Sequence, residues 1–407
     1  MNAARTTSLG SAPRLSPARV CATVLAAAAL TLVAGCWSGP VSPNTLARPA
    51  GASGSIELTA SSVPPMAGKI IPPAHGAYLG IFRPPAPFQM TVFDTYASQI
   101  SPKRPAILMW FQQWAADSPH EFDSAACVSA YQRGVVPMIT WEPWDAGTNA
   151  NNLKSPELQP QYQLGRITAG DFDPYIHRFA HAAAAVRGPV MIRLMHEMNG
   201  RWYPWGGTVN GNTPDQFVPA WRHIHDIFDQ EGASNVTWVW CINHDSRPNT
   251  LANRYAVYYP GDKYVDWVAL SGFNFGTAAI GSTWQSFDHW YDAPLAYLKT
   301  LNKPVLVAEI GSVEQGGSKA AWLTDAYNRM RLNHPEIKAV NYYDAREAGT
   351  YKLQDWSIAS SPSSLAAFRA SVSDPYYLGA PAATLDRWTS SLSDKDWVYL
   401  RSFAPVY

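Results

Sequence analysis

The sequence lacks an excess of charge of either sign. It contains 31 Lys and Arg residues against 31 Asp and Glu residues, and charged residues make up only 15% of the chain. A protein that binds nucleic acid generally carries a basic excess or a basic stripe, and neither is found here. We therefore predict no nucleic-acid partner. The 47% of hydrophobic residues fit a folded protein with a sizeable core.

Cysteine is also scarce. After the first 36 residues only Cys127 and Cys241 remain. Two cysteines make no disulfide framework, and no residues near them have the spacing of metal ligands. Both are expected to be small buried hydrophobic residues, and the sequence predicts neither a metal site nor a cofactor.

Three catalytic motifs are missing. No Gly-x-Gly-x-x-Gly turn follows an early strand, which disfavours a doubly wound open sheet, the structural alternative. A zinc protease would need a second His three residues after His196-Glu197, but position 200 is Gly; the pair His120-Glu121 has Ser124 at that place. The Gly-x-Ser-x-Gly of many serine hydrolases is absent as well.

The first 36 residues are typical of an export signal. Arginines precede an apolar run over residues 20–34, which is followed by Gly35-Cys36 and is too short to span a membrane comfortably. This stretch resembles a bacterial lipoprotein signal, in which Cys36 is lipidated and becomes the mature N-terminus. Ordinary cleavage nearby is the alternative. Because Trp37 rather than Asp follows, the resemblance implies an extracytoplasmic protein anchored in the cell envelope, at the outer membrane.

Eight short apolar runs alternate with helix-like segments in the rest of the chain. They are continuous rather than alternating, which is typical of a parallel sheet covered on both faces. The predicted strands are Ala77–Phe82, Ala106–Phe111, Val136–Trp141, Pro189–His196, Val236–Ile242, Val265–Phe273, Pro304–Glu309 and Lys338–Tyr343. The predicted helices include Asp173–Arg187, Pro214–Gln230, Trp284–Leu301 and Ala320–Leu332. This order predicts an α/β fold, the (β/α)8 TIM barrel.

The barrel divides the chain into four parts. Residues 1–36 form the signal, and residues 37–68, rich in Ser, Pro, Gly, Ala and Thr, are predicted to be a flexible linker. Residues 69–372 form the single barrel domain. Residues 373–407 carry several Tyr and Trp side chains and are expected to be a C-terminal extension that packs on the barrel.

A dense polar cluster follows the fourth predicted strand. It reads Arg193-Leu-Met-His-Glu-Met-Asn-Gly-Arg-Trp-Tyr-Pro-Trp205. The carboxyl ends of barrel strands face the active site, so Arg193, His196 and Glu197 should emerge at the mouth of the barrel. A charged pair at the end of a buried strand is costly unless it is solvated or paired, which favours a functional role here.

The seventh predicted strand ends in a single carboxylate, Glu309. Paired with Glu197, it would place one acid on each side of a cleft, as cleavage of a glycosidic bond requires. One carboxyl group protonates the leaving oxygen while the other attacks or activates water. The acid needs a raised pKa, for which Trp202 and Trp205 could supply an apolar wall.

Three segments together resemble glycoside hydrolase family 26, the β-mannanase family of clan A. They are Val136-Pro-Met-Ile-Thr-Trp-Glu-Pro-Trp144, the cluster from Arg193 to Trp205, and Val305-Leu-Val-Ala-Glu-Ile-Gly311. The resemblance covers roughly residues 75–370. It implies a retaining mechanism with the acid/base after strand four and the nucleophile after strand seven, roles that fall on Glu197 and Glu309.

The same resemblance implies a set of substrate-binding residues. Arg193, His196 and Trp202 would shape the subsite where the bond breaks, and Trp356 would stack on a sugar. We also expect four residues at or after the strand ends to bind substrate: Trp141, Glu142, Trp144 and Trp205. Strand six departs from the family pattern, because a Tyr that bonds the nucleophile is replaced by Phe273. Asn274, or a residue from elsewhere, is expected to substitute.

The leading hypothesis is a monomeric, endo-acting hydrolase of a β-linked polysaccharide. The family default is β-1,4-mannan, and the alternatives are mixed-linkage β-glucan, β-1,3-xylan and the cell's own exopolysaccharide. A hypothesis of another class is a non-catalytic carbohydrate-binding surface lipoprotein that kept the cleft, which Phe273 would favour. Reducing-sugar release from a panel of β-glycans discriminates between them.

Overall fold

A computed structural model describes residues 68–115, 120–145, 157–186, 188–348 and 353–380. The signal, Cys36 and nearly all of the linker lie outside the described residues, as do positions 381–407 of the extension. Within the described ranges, no helix combines the length and the hydropathy needed to cross a membrane.

Eight parallel strands close into a barrel, as the sequence predicts. Each strand pairs with the next along the chain, and the first pairs with the eighth to complete the ring. The strands are β1 (Ala77–Phe82), β2 (Ile107–Gln113), β3 (Val136–Glu142), β4 (Val190–Leu194), β5 (Val236–Asn243), β6 (Trp267–Asn274), β7 (Val305–Ser312) and β8 (Ile337–Tyr343).

Helices cover the outside of the barrel. They are α1 (Met90–Thr95), α2 (Ser124–Tyr131), α3 (Leu164–Thr168), α4 (Asp173–Ala185), α5 (Phe217–Gln230), α6 (Phe287–Lys299), α7 (Lys319–Asn333) and α8 (Pro362–Ser373). The four helices predicted from the sequence are all present. Helix α6 begins three residues later than predicted because Ser286 caps it by accepting a hydrogen bond from the backbone N–H of His289.

Strand alternation divides the apolar side chains into two layers. Met109, Met138 and Leu306 pack inside the barrel. Their neighbours along the strands, such as Ile139 and Val307, belong to the layer between strands and helices. Cys127 and Cys241 are both buried, which confirms their prediction as core residues.

A short hairpin and a last strand follow β8. Strands β9 (Arg346–Ala348) and β10 (Leu353–Asp355) pair antiparallel directly before Trp356. Strand β11 (Tyr377–Leu378) pairs with β1 in parallel, and Tyr377 is buried. The first residues of the C-terminal extension therefore pack on the barrel.

Candidate active site

The carboxyl ends of the strands surround an open cleft of about 580 Å³. Both predicted catalytic carboxyl groups, Glu197 and Glu309, face it from opposite walls. Of the other sequence-predicted site residues, Trp202, Phe273 and Trp356 also line the cleft. The remaining lining residues are Phe111, Arg201, Tyr203, Asn243, His244, Asp245, Arg247, Pro248, Asn249, Phe275, Ala279, Ile280, Gly281, Ser282, Thr283, Trp290, Tyr343 and Glu347.

A β-bulge turns Glu309 toward the cleft. Leu306 and Ala308 face the barrel interior, so strict alternation would send Glu309 outward to the helices. The register of β7 against β6 shifts here, since Leu270 pairs with Val307 but Ser271 pairs with Glu309. This extra residue in β7 lets two successive side chains point inward. The register against β8 shifts over the same residues.

Arg193 holds Glu309 in place at the bottom of the cleft. Its Nη2 lies 2.5 Å from Glu309 Oε1, and its Nε and Nη1 donate to Thr140 Oγ1 at 2.9 Å and Ser271 Oγ at 3.2 Å. The guanidinium is fully buried. Burial alone would lower the pKa of Arg193, but the Glu309 carboxylate outweighs it and raises that pKa. The buried ion pair, held by hydrogen bonds to β3 and β6, therefore fixes the orientation of Glu309.

Glu197 stands on a strained turn directly after β4. Met195 and Glu197 have φ values of 43° and 55°, a region that non-glycine residues rarely adopt. The strand therefore ends at Leu194, two residues earlier than predicted. The N–H of Glu197 donates to Cys241 O at 2.8 Å, which holds the turn against β5. Strain of this kind persists where surrounding contacts enforce it, commonly at active sites.

The Glu197 carboxyl group is buried and forms no ion pair with any residue in the described ranges. Trp202 Nε1 donates to its Oε2 at 2.8 Å. Burial raises the pKa of Glu197 to about 7, and the charge of Glu309 acts in the same direction, while Arg193 and Trp202 oppose it. A carboxyl group that keeps its proton near neutral pH is suited to act as a general acid.

Position 200 must be glycine for this arrangement. A Cβ atom there would come within 2.5 Å of the Trp202 ring. Gly200 thus lets the indole fold back so that its N–H reaches Glu197.

A second layer of polar residues lies behind the cleft wall. His196 is 1% exposed, and its Nε2 lies 2.9 Å from the Tyr203 hydroxyl. Burial lowers the pKa of His196 well below its usual value, so the ring is neutral. Glu142, 3.9 Å from His196 Nδ1, accepts a hydrogen bond from Trp144, and burial raises its pKa to about 8. Neither residue borders the cleft in the described part of the chain, so both support the wall from behind.

Two residues assigned to substrate contact, Trp141 and Trp205, are placed elsewhere. Trp141 faces outward, because its neighbour Thr140 points inward to Arg193, and its ring stacks on Phe179 at 4.2 Å. Trp205 has no exposed surface and stacks on Tyr203. These placements correct the assignments of Trp141 and Trp205 to direct substrate binding. The sequence pattern marked strand ends correctly but did not separate inward from outward positions.

Trp144 and Trp356 need a similar correction. Trp144 is 2% exposed and packs edge-on against Trp205. Trp356 reaches the cleft wall but is only 1% exposed, because Phe273 and Phe275 cover its ring at 4.7 and 5.0 Å. In this conformation Trp356 forms part of the wall and offers no open face for stacking on a sugar.

Of the two expected replacements for the missing hydroxyl at Phe273, Asn274 does not bond Glu309, whereas a residue from elsewhere, Arg193, does. Asn274 is fully buried and donates to Ser312 Oγ at 3.0 Å, away from Glu309. Arg193 supplies the hydrogen bond to the Glu309 carboxylate, and Phe273 packs on Tyr343 and Trp356. The departure from the family pattern therefore leaves Glu309 with a strong donor.

Several cleft residues were missed from the sequence. His244 follows β5 and packs against Trp290 of α6 at 4.6 Å, while Tyr343 and Glu347 line the wall after β8. Tyr343 ends a strand and could have been found by the same rule that found Glu309. Glu347 stands on a hairpin four residues later, and no sequence motif marks it.

Two groups of side chains in the described ranges could hold a metal ion. They are His225 with Asp226 and Asp229, and Asp288 with Asp292 and His334. Both lie on the helical layer, and neither contributes a residue to the cleft.

Comparison with known proteins agrees with this geometry. Residues 166–332 match the model of glycosyl hydrolase family 26. The chain is 38% identical over 270 residues to Endoglucanase H of Acetivibrio thermocellus, covering 65% of this chain and 27% of that protein. It is 23% identical over 205 residues to a mannan endo-1,4-beta-mannosidase of Bacillus subtilis, covering 47% of this chain and 51% of that protein. The chain thus spans about a quarter to a half of the length of these relatives.

A solved structure shares the fold. It is the catalytic domain of a Bacillus sp. JAMB-750 endo-beta-1,4-mannanase, with a TM-score of 0.56 and 17% identity over 76% of this chain and 88% of that one. The segment that matches the family model, residues 166–332, runs from α3 to the end of α7 and contains Arg193, Glu197 and Glu309. In residues 166–332 the chain is therefore similar to glycosyl hydrolase family 26.

Proposed function

We propose that this protein is a retaining, endo-acting glycoside hydrolase of a β-linked polysaccharide. The observation that carries the proposal is the contrast between two carboxyl groups in one cleft. Glu309 is ion-paired with Arg193, whereas Glu197 has a pKa raised to about 7 by burial. Double displacement at a sugar requires this pair, one ionised nucleophile and one protonated acid.

The first step forms a bond to the protein. Glu309 attacks the anomeric carbon, the bond to the leaving oxygen breaks, and Glu197 gives its proton to that oxygen. The product is a glycosyl ester on Glu309 and a free sugar hydroxyl on the leaving chain. In the second step Glu197, now ionised, takes a proton from water while the water oxygen attacks the anomeric carbon and releases Glu309.

The backbone of the substrate is proposed from the relatives. The 38% identity to a protein named Endoglucanase H favours a β-glucan that contains 1,4-linkages, including mixed-linkage β-glucan. Mannan is the second candidate, because relatives at lower identity and the structural neighbour carry mannanase names. The cleft is open to solvent at the mouth of the barrel and contains bulky aromatic walls, which suits a long chain.

A panel of polysaccharides tests the activity. We expect release of reducing ends from mixed-linkage β-glucan, with slower release from β-1,4-mannan, and a rapid loss of viscosity as internal bonds are cut. The Glu309→Gln protein is the matched control, since it keeps a hydrogen-bond partner for Arg193. If folded wild-type protein released no sugar from β-glucan, mannan or β-1,3-xylan, the enzyme proposal would fail. Binding without cleavage would then favour the carbohydrate-binding lipoprotein.

We also propose that the protein is attached to the bacterial envelope through a lipidated Cys36. The support is the sequence alone: an arginine-containing segment, a short apolar run and small residues before the cysteine. One acyl chain anchors weakly, so stable attachment needs the several chains of a full lipoprotein modification. Cell fractionation of wild type and Cys36→Ser checks this. Equal membrane retention of both proteins would exclude the anchor.

A further inference from the structure

A third carboxyl group, Glu347, lies in the wall of the cleft. It stands on β9, opposite Gln354 of β10, and the hairpin leads directly into Trp356. The backbone N–H of Trp356 donates to Ala345 O at 3.0 Å, which closes the hairpin against the end of β8. Glu347, Glu309 and Trp356 line the same cleft.

The position of Glu347 is fixed by its aromatic neighbours. The Tyr343 hydroxyl donates a hydrogen bond to Glu347 Oε1. The Tyr343 ring in turn packs against Phe82 at 4.5 Å and edge-on against Phe273 at 5.3 Å. Hydrogen bonding to the Trp356 side chain also favours the ionised form of Glu347. A side chain held this firmly at a cleft surface is preorganised for binding.

These contacts leave the charge of the partly buried Glu347 without a cation. Among the described residues Glu347 forms no ion pair, whereas Glu309 has Arg193 and the neighbouring Arg346 pairs with Asp355 on the hairpin. Burial raises the pKa of Glu347 to about 7, against the two hydrogen bonds and with help from the charge of Glu309. A partly buried carboxyl group without a cation is stabilised when a ligand completes its hydrogen bonds.

We propose that Glu347 is a substrate-binding residue, which hydrogen-bonds a hydroxyl group of the sugar unit that Glu309 attacks. This inference rests on the proposed function and adds a glycan contact to it. Glu347 follows β8, the strand next to β7, so it lies on the Glu309 side of the cleft. Glu197 and Trp202 follow β4 and hold the leaving side. A hydroxyl bound by Glu347 therefore belongs to the glycon unit.

A purely structural role predicts something different. If Glu347 only satisfied the Tyr343 hydroxyl, its loss would loosen the wall and affect every substrate alike. A direct contact depends instead on one hydroxyl group of the sugar. Deleting that hydroxyl and deleting the carboxyl group would then remove the same interaction, and their effects would not add.

The experiment combines three variants with deoxygenated substrates. Glu347→Ala removes the contact, Glu347→Gln keeps an acceptor and adds donors, and Arg346→Gln is the control. Arg346 is the adjacent residue of β9, is exposed, does not line the cleft, and alternation points it away from Glu347. For each protein kcat and KM are measured on β-glucan and on aryl β-glycosides that lack one hydroxyl at a time.

We expect Glu347→Ala to lower kcat/KM on the polysaccharide about 10- to 100-fold, Glu347→Gln less than about 10-fold, and Arg346→Gln less than about 2-fold. One deoxy substrate should cost the wild type about 10-fold or more and cost Glu347→Ala less than about 2-fold. Additive losses at every hydroxyl position would overturn the contact and leave a structural role.

Oligosaccharide binding separates this inference from the proposed function. Isothermal titration with a cello- or manno-oligosaccharide is run on Glu309→Gln and on Glu309→Gln with Glu347→Ala. We expect affinity to fall about 10-fold or more when Glu347 is removed. Equal affinities would overturn the Glu347 contact while leaving the enzyme proposal intact. Absence of both cleavage and binding in the wild type would overturn the two together.

Discussion

The two walls of the cleft surround their buried glutamates with different hydrogen-bond donors. On the β7 side, Glu309 lies 2.5 Å from a fully buried guanidinium that is itself held by Thr140 and Ser271. On the β4 side, Glu197 accepts a hydrogen bond from the neutral N–H of Trp202 and is only 8% exposed. The same residue type is thus stabilised as an anion on one wall and as an acid on the other.

The local backbone differs in parallel with the charge. Glu309 belongs to a strand and reaches the cleft through a bulge, so its position is set by the hydrogen-bonded sheet. Glu197 stands on a turn with positive φ, tied to β5 by a single backbone hydrogen bond. In the proposed mechanism the nucleophile Glu309 is held by an ion pair, whereas the acid Glu197, which must lose and regain its proton, stands where its protonation can change.

Replacing Glu309 tests the ion-paired wall and should have the largest effect. Glu309→Gln removes the nucleophile, and we expect kcat on β-glucan to fall by about 10⁴-fold or more. Gln still accepts a hydrogen bond from Arg193, but the buried guanidinium loses its counter-charge, so the melting temperature should fall as well. Steady-state kinetics and thermal unfolding measure the two effects. Retention of more than a few per cent of the activity would place the nucleophile elsewhere.

Replacing Glu197 tests the acid wall. In Glu197→Ala, cleavage of the polysaccharide should fall about 10²- to 10⁴-fold, because its leaving oxygen needs a proton. A dinitrophenyl β-glycoside, whose leaving group needs none, should still show a fast burst followed by slow turnover. Added azide should accelerate that turnover and yield a glycosyl azide. Equal loss of activity on both substrates, with no acceleration of turnover by azide, would argue against the acid/base role.

Replacing Trp202 tests the electrostatics of the acid wall, because the Trp202 N–H lowers the pKa of Glu197. Trp202→Phe removes this hydrogen bond, so the pKa of Glu197 should rise above about 7. The acid form then persists to higher pH, and the alkaline limb of the kcat/KM profile should move up by as much as about one pH unit. Trp322→Phe, a Trp of α7 whose N–H bonds Gln285 O away from the cleft, is the matched control. An unchanged limb in Trp202→Phe would contradict the electrostatic account.

The smallest expected effect is a change in the pH dependence of stability when Glu142, behind the cleft wall, is replaced. The pKa of Glu142 is about 8 in the folded protein and near 4.5 in an unfolded chain. The folded state therefore holds this proton more tightly, so its contribution to stability is full below about pH 4.5 and is lost as pH rises to about 8. Glu142→Gln has no proton to lose. Its melting temperature, measured from pH 5 to 8.5, should fall less steeply than that of the wild type; parallel curves would refute the assignment.

The sequence predicted the parts of the fold that depend on continuous apolar runs. All eight barrel strands and the four named helices are present, because a strand covered on both faces leaves a distinct pattern. Glu197 and Glu309 were found for a related reason, since a charge at the end of such a run is costly and needs an explanation.

What the sequence did not predict depends on single-residue geometry. The bulge at Ala308 and the positive φ of Met195 decide which side chains enter the cleft, and neither has a composition signal. Trp141 was wrongly assigned to the cleft, because a continuously apolar strand does not show which of its residues point inward. Glu347 was missed because a hairpin brings it back to the cleft after its strand has ended.

The configuration of the first-formed product distinguishes a covalent intermediate on Glu309 from direct attack by water. Two displacements at the anomeric carbon restore its configuration, whereas direct attack by water inverts it. Proton NMR is recorded within the first minutes of hydrolysis of a β-linked oligosaccharide, before the sugar mutarotates. The account predicts that the β-anomer appears first and that the α-anomer grows only later. An α-anomer formed first would show that Glu309 activates water and would contradict the covalent role assigned to it.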